Sequence, residues 1–102
     1  MTQKGLATKL LRMFVSVIVE MVNDDNEKTI ENLLLQYGFK RVLKNAYEST
    51  GIMEKYLSRL KRDIDRRTDF YDTVRIYQYP IDDTLVITTL REKKWKRTVL
   101  RA

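Results

Sequence analysis

MFVSVIVEMVNDD, residues 13–25, is the stretch whose reading decides the fold. From Phe14 to Val19 it is short, β-branched and nearly unbroken in apolarity, which predicts a central strand covered on both faces rather than a helix. The run ends on Glu20, with Asp24 and Asp25 just beyond. A carboxylate where a core strand surfaces is either a solvated strand end or a ligand for a metal ion. Asn23 to Asn26 carries turn and N-cap chemistry, and acids at a helix N-terminus suit the macrodipole, so capping is the simpler account of Asp24 and Asp25.

Outward from this strand, Ile30, Leu33, Leu34 and Tyr37 recur with helical spacing, and Gly38 stands where a C-cap belongs. Residues 39–48 alternate loosely and predict a weaker strand, long enough to be bent or broken. Ser49-Thr50-Gly51 is expected to open a second helix, whose apolar stripe is Met53, Tyr56, Leu57, Leu60 and Ile64. Its other faces hold Lys55, Arg59, Lys61, Arg62, Arg66 and Arg67, an ordinary solvated pattern. TVRIYQYP, residues 73–80, predicts a third strand closed by Pro80, and Asp82-Asp83 a turn into a fourth at 84–90. A β-α-β-α-β-β order favours two helices on one face of a small antiparallel sheet, a ferredoxin-like α+β sandwich. The domain is assigned to residues 13–90, with an extension over 1–12 and a tail over 91–102.

The tail, REKKWKRTVLRA, does not fit inside that domain. It is densely charged, yet Thr98, Val99 and Leu100 are β-capable and Trp95 interrupts the basic run. Such a segment is suited to adding a strand to another subunit's sheet, which predicts a homodimer with C-terminal strand exchange through Trp95, Thr98, Val99 and Leu100. Leu6, Leu10 and Leu11 make the extension either an amphipathic cap or further basic contact.

Charge is unevenly placed. Of the net +6 in 102 residues, the first twelve hold +3 and the last twelve +5, so the middle is −2. A slightly acidic body with basic ends reads as a scaffold whose termini meet a polyanion. The chain has no cysteine and no histidine, which excludes disulfides, zinc–thiolate sites and the commonest general base. Any hydrolysis must then rest on carboxylates and a hard cation such as Mg²⁺. No segment reads as a targeting or membrane element, and a cytoplasmic protein is expected.

MFVSVIVEMV, YGFKRVLKNAYES (37–49), LSRLKRDID (57–65) and DTVRIYQYP (72–80) together resemble the small CRISPR-associated protein Two family of spacer acquisition. The landmarks are Tyr37, Gly38, Arg41, Val42, Tyr47 and Glu48. The resemblance implies a ferredoxin-like protomer, a homodimer built by sheet-edge pairing and exchanged C-terminal strands, and a role bridging two dimers of the CRISPR integrase across duplex DNA. Some members resemble metal-dependent phosphodiesterases whose first strand ends in an aspartate paired with its symmetry mate around a divalent ion. Here that position is Glu20, whose extra methylene displaces the carboxylate by about 1 Å where catalysis tolerates little drift. Leu43, where the family is usually polar, and residues 1–12, before its usual start, are further departures.

Two functions are expected from these residues. One is a bridging protein that holds duplex DNA by its phosphates through Lys40, Arg41, Lys44, Arg75, Lys93, Lys94, Lys96 and Arg97. Arg41 and Arg75 rank first, since a strand fixes where they point. The other is an Mg²⁺-dependent endonuclease cutting RNA or double-stranded DNA through paired Glu20 carboxylates, with Asp24 or Asp25 as auxiliary ligands. An RNA-recognition domain has the same element order, but TVRIYQY offers Tyr77 and Tyr79 without the glycine of that signature.

Overall fold

The computed structural model describes residues 12–79 and 84–101. The elements are β1 (Arg12–Glu20), α1 (Asp24–Gln36), β2 (Lys40–Leu43), β3 (Ala46–Met53), α2 (Glu54–Arg66), β4 (Thr73–Tyr79), β5 (Thr84–Arg91) and β6 (Lys94–Arg101). They form one antiparallel sheet in the order β2-β3-β1-β4-β5-β6. The order of the first four strands, with two helices between them in sequence, is compatible with a ferredoxin-like α+β fold. Residues 1–11, Pro80 and the Asp82-Asp83 turn lie outside the described residues, and of the proposed extension only Arg12 is placed, at the start of β1.

Alternation along β1 sets the layers. Met13, Val15, Val17 and Val19 are buried beneath Ile30, Leu33 and Leu34 of α1 and Leu57, Leu60 and Ile64 of α2. The intervening side chains point the other way, and there the expectation of a strand covered on both faces fails. Phe14 remains 39% and Ile18 36% exposed. Both helices lie on one side of the sheet, so no helix among the described residues covers the apolar residues on the far side.

Local chemistry explains the ends of α1. The Asn23 side chain accepts the Asn26 backbone N–H at 2.7 Å, satisfying one of the orphan donors at the helix start. At the other end Gly38 takes φ +89°, a conformation glycine adopts without a side-chain penalty. The Gly38 and Phe39 N–H groups then donate to Leu35 and Leu34 at 3.0 Å each, a Schellman closure that delivers Phe39 into the core.

The middle of the chain departs from expectation. Residues 39–48 are not one bent strand: β2 and β3 form a hairpin through Lys44-Asn45, and β3 runs on through Ser49, Thr50 and Gly51 to Met53. The turn-forming residues expected to open the second helix instead accommodate a register shift. Met13 pairs with Ile52 and Val15 with Ser49, so β3 carries one extra residue there. Pairing against β1 outweighs the local capping preference, and α2 starts at Glu54 without a side-chain cap.

The tail also departs from expectation, because in this chain it is the sixth strand of the same sheet. It returns along β5 through eight registered pairs, from Arg91↔Lys94 to Thr84↔Arg101. Glu92 and Lys93 form the turn with φ values of +53° and +60°, the handedness a two-residue hairpin needs but one that non-glycine residues resist. Side-chain bonds to the body oppose that cost. The Lys93 ammonium meets the Asp65 carboxylate at 2.7 Å, the Thr68 carbonyl at 3.0 Å, and the Asp65 carbonyl. The Trp95 indole N–H donates to the second Asp65 oxygen at 2.9 Å. A cation at the C-terminal end of α2 also suits the helix dipole.

These bonds hold the Asp65 carboxyl below its ordinary value of 3.8, the Lys93 contact first and the Trp95 contact second. A depressed carboxyl contributes stability that is complete above its unfolded value and is lost as pH falls through its folded one. Docking of β6 is therefore expected to loosen below pH 3.8. Trp95, the single tryptophan, reports it: its emission should shift red on acidification before global unfolding, and Asp65→Asn should remove most of that early phase.

A buried carboxylate missed by the sequence reading ties the loops at one end of the sheet. Asp72, 1% exposed, accepts the Val22 N–H at 3.0 Å, the Asp69 N–H at 2.9 Å and the Asn26 side-chain amide at 3.0 Å. It joins the β1–α1 connection to the α2–β4 connection, so the position of Glu20 at the end of β1 depends on it.

Candidate nucleic-acid interface

Register assigns each candidate residue to one face of the sheet, because Cα partners on neighbouring strands point the same way. The open face carries Phe14, Ser16, Ile18 and Glu20 on β1, opposite Tyr79, Tyr77, Arg75 and Thr73 on β4. Beyond β4 the same face continues with Ile87, Thr89 and Arg91, then Thr98, Lys96 and Lys94. One end of this face is apolar: Phe14 lies opposite Tyr79, and Leu85 opposite Leu100, with Tyr79 and Leu100 both about half exposed. The other end holds four cations from three strands: Arg75, Arg91, Lys94 and Lys96.

The cations border two concavities. A cleft of about 360 Å³ is lined by Ile18, Glu20, Asn45, Thr73, Arg75 and Arg91. A broader one of about 750 Å³ adjoins it, with Arg75 and Arg91 in common and Lys94 and Lys96 beyond them. The Arg75 guanidinium lies 5.5 Å from the centre of the Tyr77 ring, which orients it while leaving its donors toward the open face. None of the four forms an ion pair with an acid among the described residues.

Several expected phosphate ligands are placed elsewhere. Arg41 shares a face with buried Tyr47 and is engaged within the chain. Its Nε and Nη2 donate to the Lys44 carbonyl at 3.0 and 2.6 Å, and its Nη1 meets Glu31 at 3.2 Å. Strand β2 presents Arg41 on the helix side of the sheet, where its guanidinium is engaged by Glu31 and the Lys44 carbonyl while the residue stays exposed, so it leaves the open-face set. Lys93 leaves it as well, held on Asp65 and the end of α2. Lys40 shares the open face but sits far across it on β2, opposite Glu48, and Lys44 is exposed in the β2–β3 turn. Arg97 points to the helix face, opposite Thr88, away from Lys94 and Lys96.

The strand-exchange residues divide in the same way. Thr98 and Leu100 lie on the open face, Trp95 and Val99 on the helix face. Only Trp95 is partly buried; Val99 is 47% exposed. Trp95 is thus seated on its own chain's Asp65.

Glu20 ends β1 as an exposed side chain, opposite Thr73. Asp24 and Asp25 lie in the first turn of α1. Among the described residues no group of three carboxylates comes together with the spacing of a cation site. A lone carboxylate in a cleft shared with two guanidinium groups is a poor donor set for Mg²⁺, which takes several oxygen ligands. One copy of the chain does not fit that ion.

Arg91, which the sequence places only among the basic residues of the tail, is the member of this cluster not named individually as a phosphate ligand. Strict alternation from Ile87 through Thr89 to Arg91 is the signal that aligns it with Arg75 once β4 and β5 are paired.

No family model and no curated protein matches the chain. Among solved structures it is similar to the hypothetical protein TT1823 from Thermus thermophilus, at 28% identity and a TM-score of 0.59, over 72% of this chain and 85% of that one. The likeness extends the small α+β architecture to a second protein and carries no activity with it. Among the described residues no helix is long and apolar enough to cross a membrane.

Proposed function

We propose that this chain is a non-sequence-specific duplex-DNA-binding protein of the CRISPR adaptation type, acting as a homodimer that bridges integrase dimers. The observation that carries the DNA-binding part is the open sheet face, where Arg75, Arg91, Lys94 and Lys96 cluster without an ion pair among the described residues, Glu20 and Glu92 being the acids that line the same two concavities. Charges at such spacing neutralise phosphates and release counterions, giving affinity that ignores base sequence. The integrase link follows from the sequence resemblance set out above.

The apolar end of the same face supports the dimer. Phe14, Tyr79 and Leu100 together expose apolar surface that a second copy covers, while the cationic end stays outside that contact. Exchange of β6 adds to this, since apart from Trp95 its side chains are exposed in the single chain. Phe14→Asp is expected to shift the protein from dimer to monomer in light scattering at micromolar concentration; an unchanged mass would remove the apolar end from the interface.

The deciding experiment titrates duplex DNA at several salt concentrations, with Mg²⁺ or EDTA, for wild type and Glu20→Ala. Binding that survives EDTA, falls linearly in log–log form with salt and is indifferent to sequence is the expected result. Mg²⁺-dependent cutting abolished by Glu20→Ala would replace the bridging reading with a nuclease. Absence of DNA binding at low salt would remove both.

A further inference from the structure

Arg97, separated by register from Lys94 and Lys96, has company on the helix face. It lies directly across the ladder from Thr88, a threonine only 5% exposed. From α2, Lys61 brings its Nζ to 3.5 Å from the Thr88 Oγ1. Three elements thus bring Lys61, Thr88 and Arg97 together, the ammonium by direct contact with the hydroxyl and the arginine as Thr88's cross-strand neighbour. No carboxylate among the described residues forms an ion pair with either cation, although Glu54 on the same helix acts on Lys61 through space. Burial, and then the charge of Arg97, hold the Lys61 ammonium below its ordinary range. Holding two like charges together in a partly desolvated place costs free energy, and among the described residues only the long Lys61–Thr88 hydrogen bond, and no ion pair, offsets it.

We infer that Lys61, Thr88 and Arg97 form a phosphate-binding site on the face of the sheet opposite Arg75 and Arg91. Thr88 accepts from Lys61, so its own hydroxyl proton is left to donate. An ammonium, a forked guanidinium and a hydroxyl donor are a suitable set for the oxygens of a phosphate, with charge-assisted bonds of the strong kind. The bound anion supplies the negative charge that the pair lacks. The phosphate group has two sources, free inorganic phosphate or a phosphodiester of a nucleic-acid backbone, and the chemistry of recognition is common to both. The site goes beyond the proposed function, because binding of free phosphate needs neither a dimer nor a duplex.

The test follows thermal unfolding of the full chain against inorganic phosphate, with ionic strength held constant by chloride, in parallel with duplex-DNA titrations. Wild type is expected to show a saturable rise in Tm. Lys61→Met, which keeps an unbranched stem, and Arg97→Gln, at an exposed position, should each weaken phosphate at least tenfold, while Lys28→Gln, at an exposed position of α1 outside both cationic clusters, should leave it unchanged. If the backbone is the source, Lys61→Met also lowers the salt slope of DNA binding by about one. If free phosphate is the source, DNA binding by the variant is unaltered. The site is overturned if wild type shows no saturable response to phosphate and both variants bind DNA as wild type does. A saturable phosphate response in a protein that fails to bind DNA would sink the proposed function and leave this site standing.

Discussion

Asp72→Ala is expected to lower the unfolding free energy by about 3 kcal/mol, the largest loss from any single polar side chain in this fold. The replacement removes the acceptor from three part-buried donors, the Val22 and Asp69 N–H groups and the Asn26 amide, of which the amide alone keeps a second contact, to Asp69. Each buried donor left without a partner costs about 1–3 kcal/mol, and water entering the loop ends recovers part of the sum. For a domain of this size the corresponding fall in Tm is roughly 10–20 °C. Asp72→Asn keeps one acceptor oxygen and should cost about half as much. Asp69→Ala, whose carboxylate is exposed and makes a longer 3.3 Å contact with Asn26, should cost less still. Denaturant unfolding of the three variants checks the ranking; a loss below about 1 kcal/mol for Asp72→Ala would show that the loops are satisfied by solvent without it.

Reversing Arg75 and Arg91 together to glutamate is expected to weaken duplex-DNA binding on the order of 100-fold near 100 mM salt, and to reduce the salt slope by about two. The two guanidinium groups border the same cleft and have no acidic partner other than Glu20 within it, so both are available to phosphate. Arg41→Gln is the contrasting variant. Its guanidinium already serves Glu31 and the Lys44 carbonyl, so the change should leave DNA affinity within about twofold, and stability should fall instead. A reading from sequence ranks Arg41 and Arg75 alike; the structure separates them, and fluorescence anisotropy of a labelled duplex across a salt series measures the difference. Equal losses for Arg41→Gln and Arg75→Gln would show that the open face is not where DNA lies.

The success and failure of the sequence reading follow from the range of the interactions involved. The first strand, the α1 stripe and the Gly38 stop were legible because each rests on contacts within about four residues or on one residue's backbone preference. The hairpin inside residues 39–53 was not, because Ser49, Thr50 and Gly51 carry the signature of a helix start. Only pairing with β1, more than thirty residues earlier, makes them strand. Asp72 was passed over for a similar reason: an aspartate in a turn looks alike whether it is solvated or receives bonds from a segment 46 to 50 residues away.

By itself, the sequence determined the first strand, the two apolar helical stripes, the strands at 73–79 and 84–90, the basic ends, and the absence of thiol and imidazole chemistry, all properties of composition and short-range periodicity. The tertiary structure alone decided where the charges go. Strand alternation sends Lys94 and Lys96 to one face and Arg97 to the other, but which face carries the helices, and which cations meet across strands, depends on registers set between distant segments. The same long-range pairing put Arg41 on the helix side of the sheet, seated Lys93 and Trp95 on Asp65, and placed Glu20 beside Arg75 and Arg91. A carboxylate at the end of a strand reads as a candidate metal ligand in one dimension; in three, the guanidinium groups around it decide its chemistry.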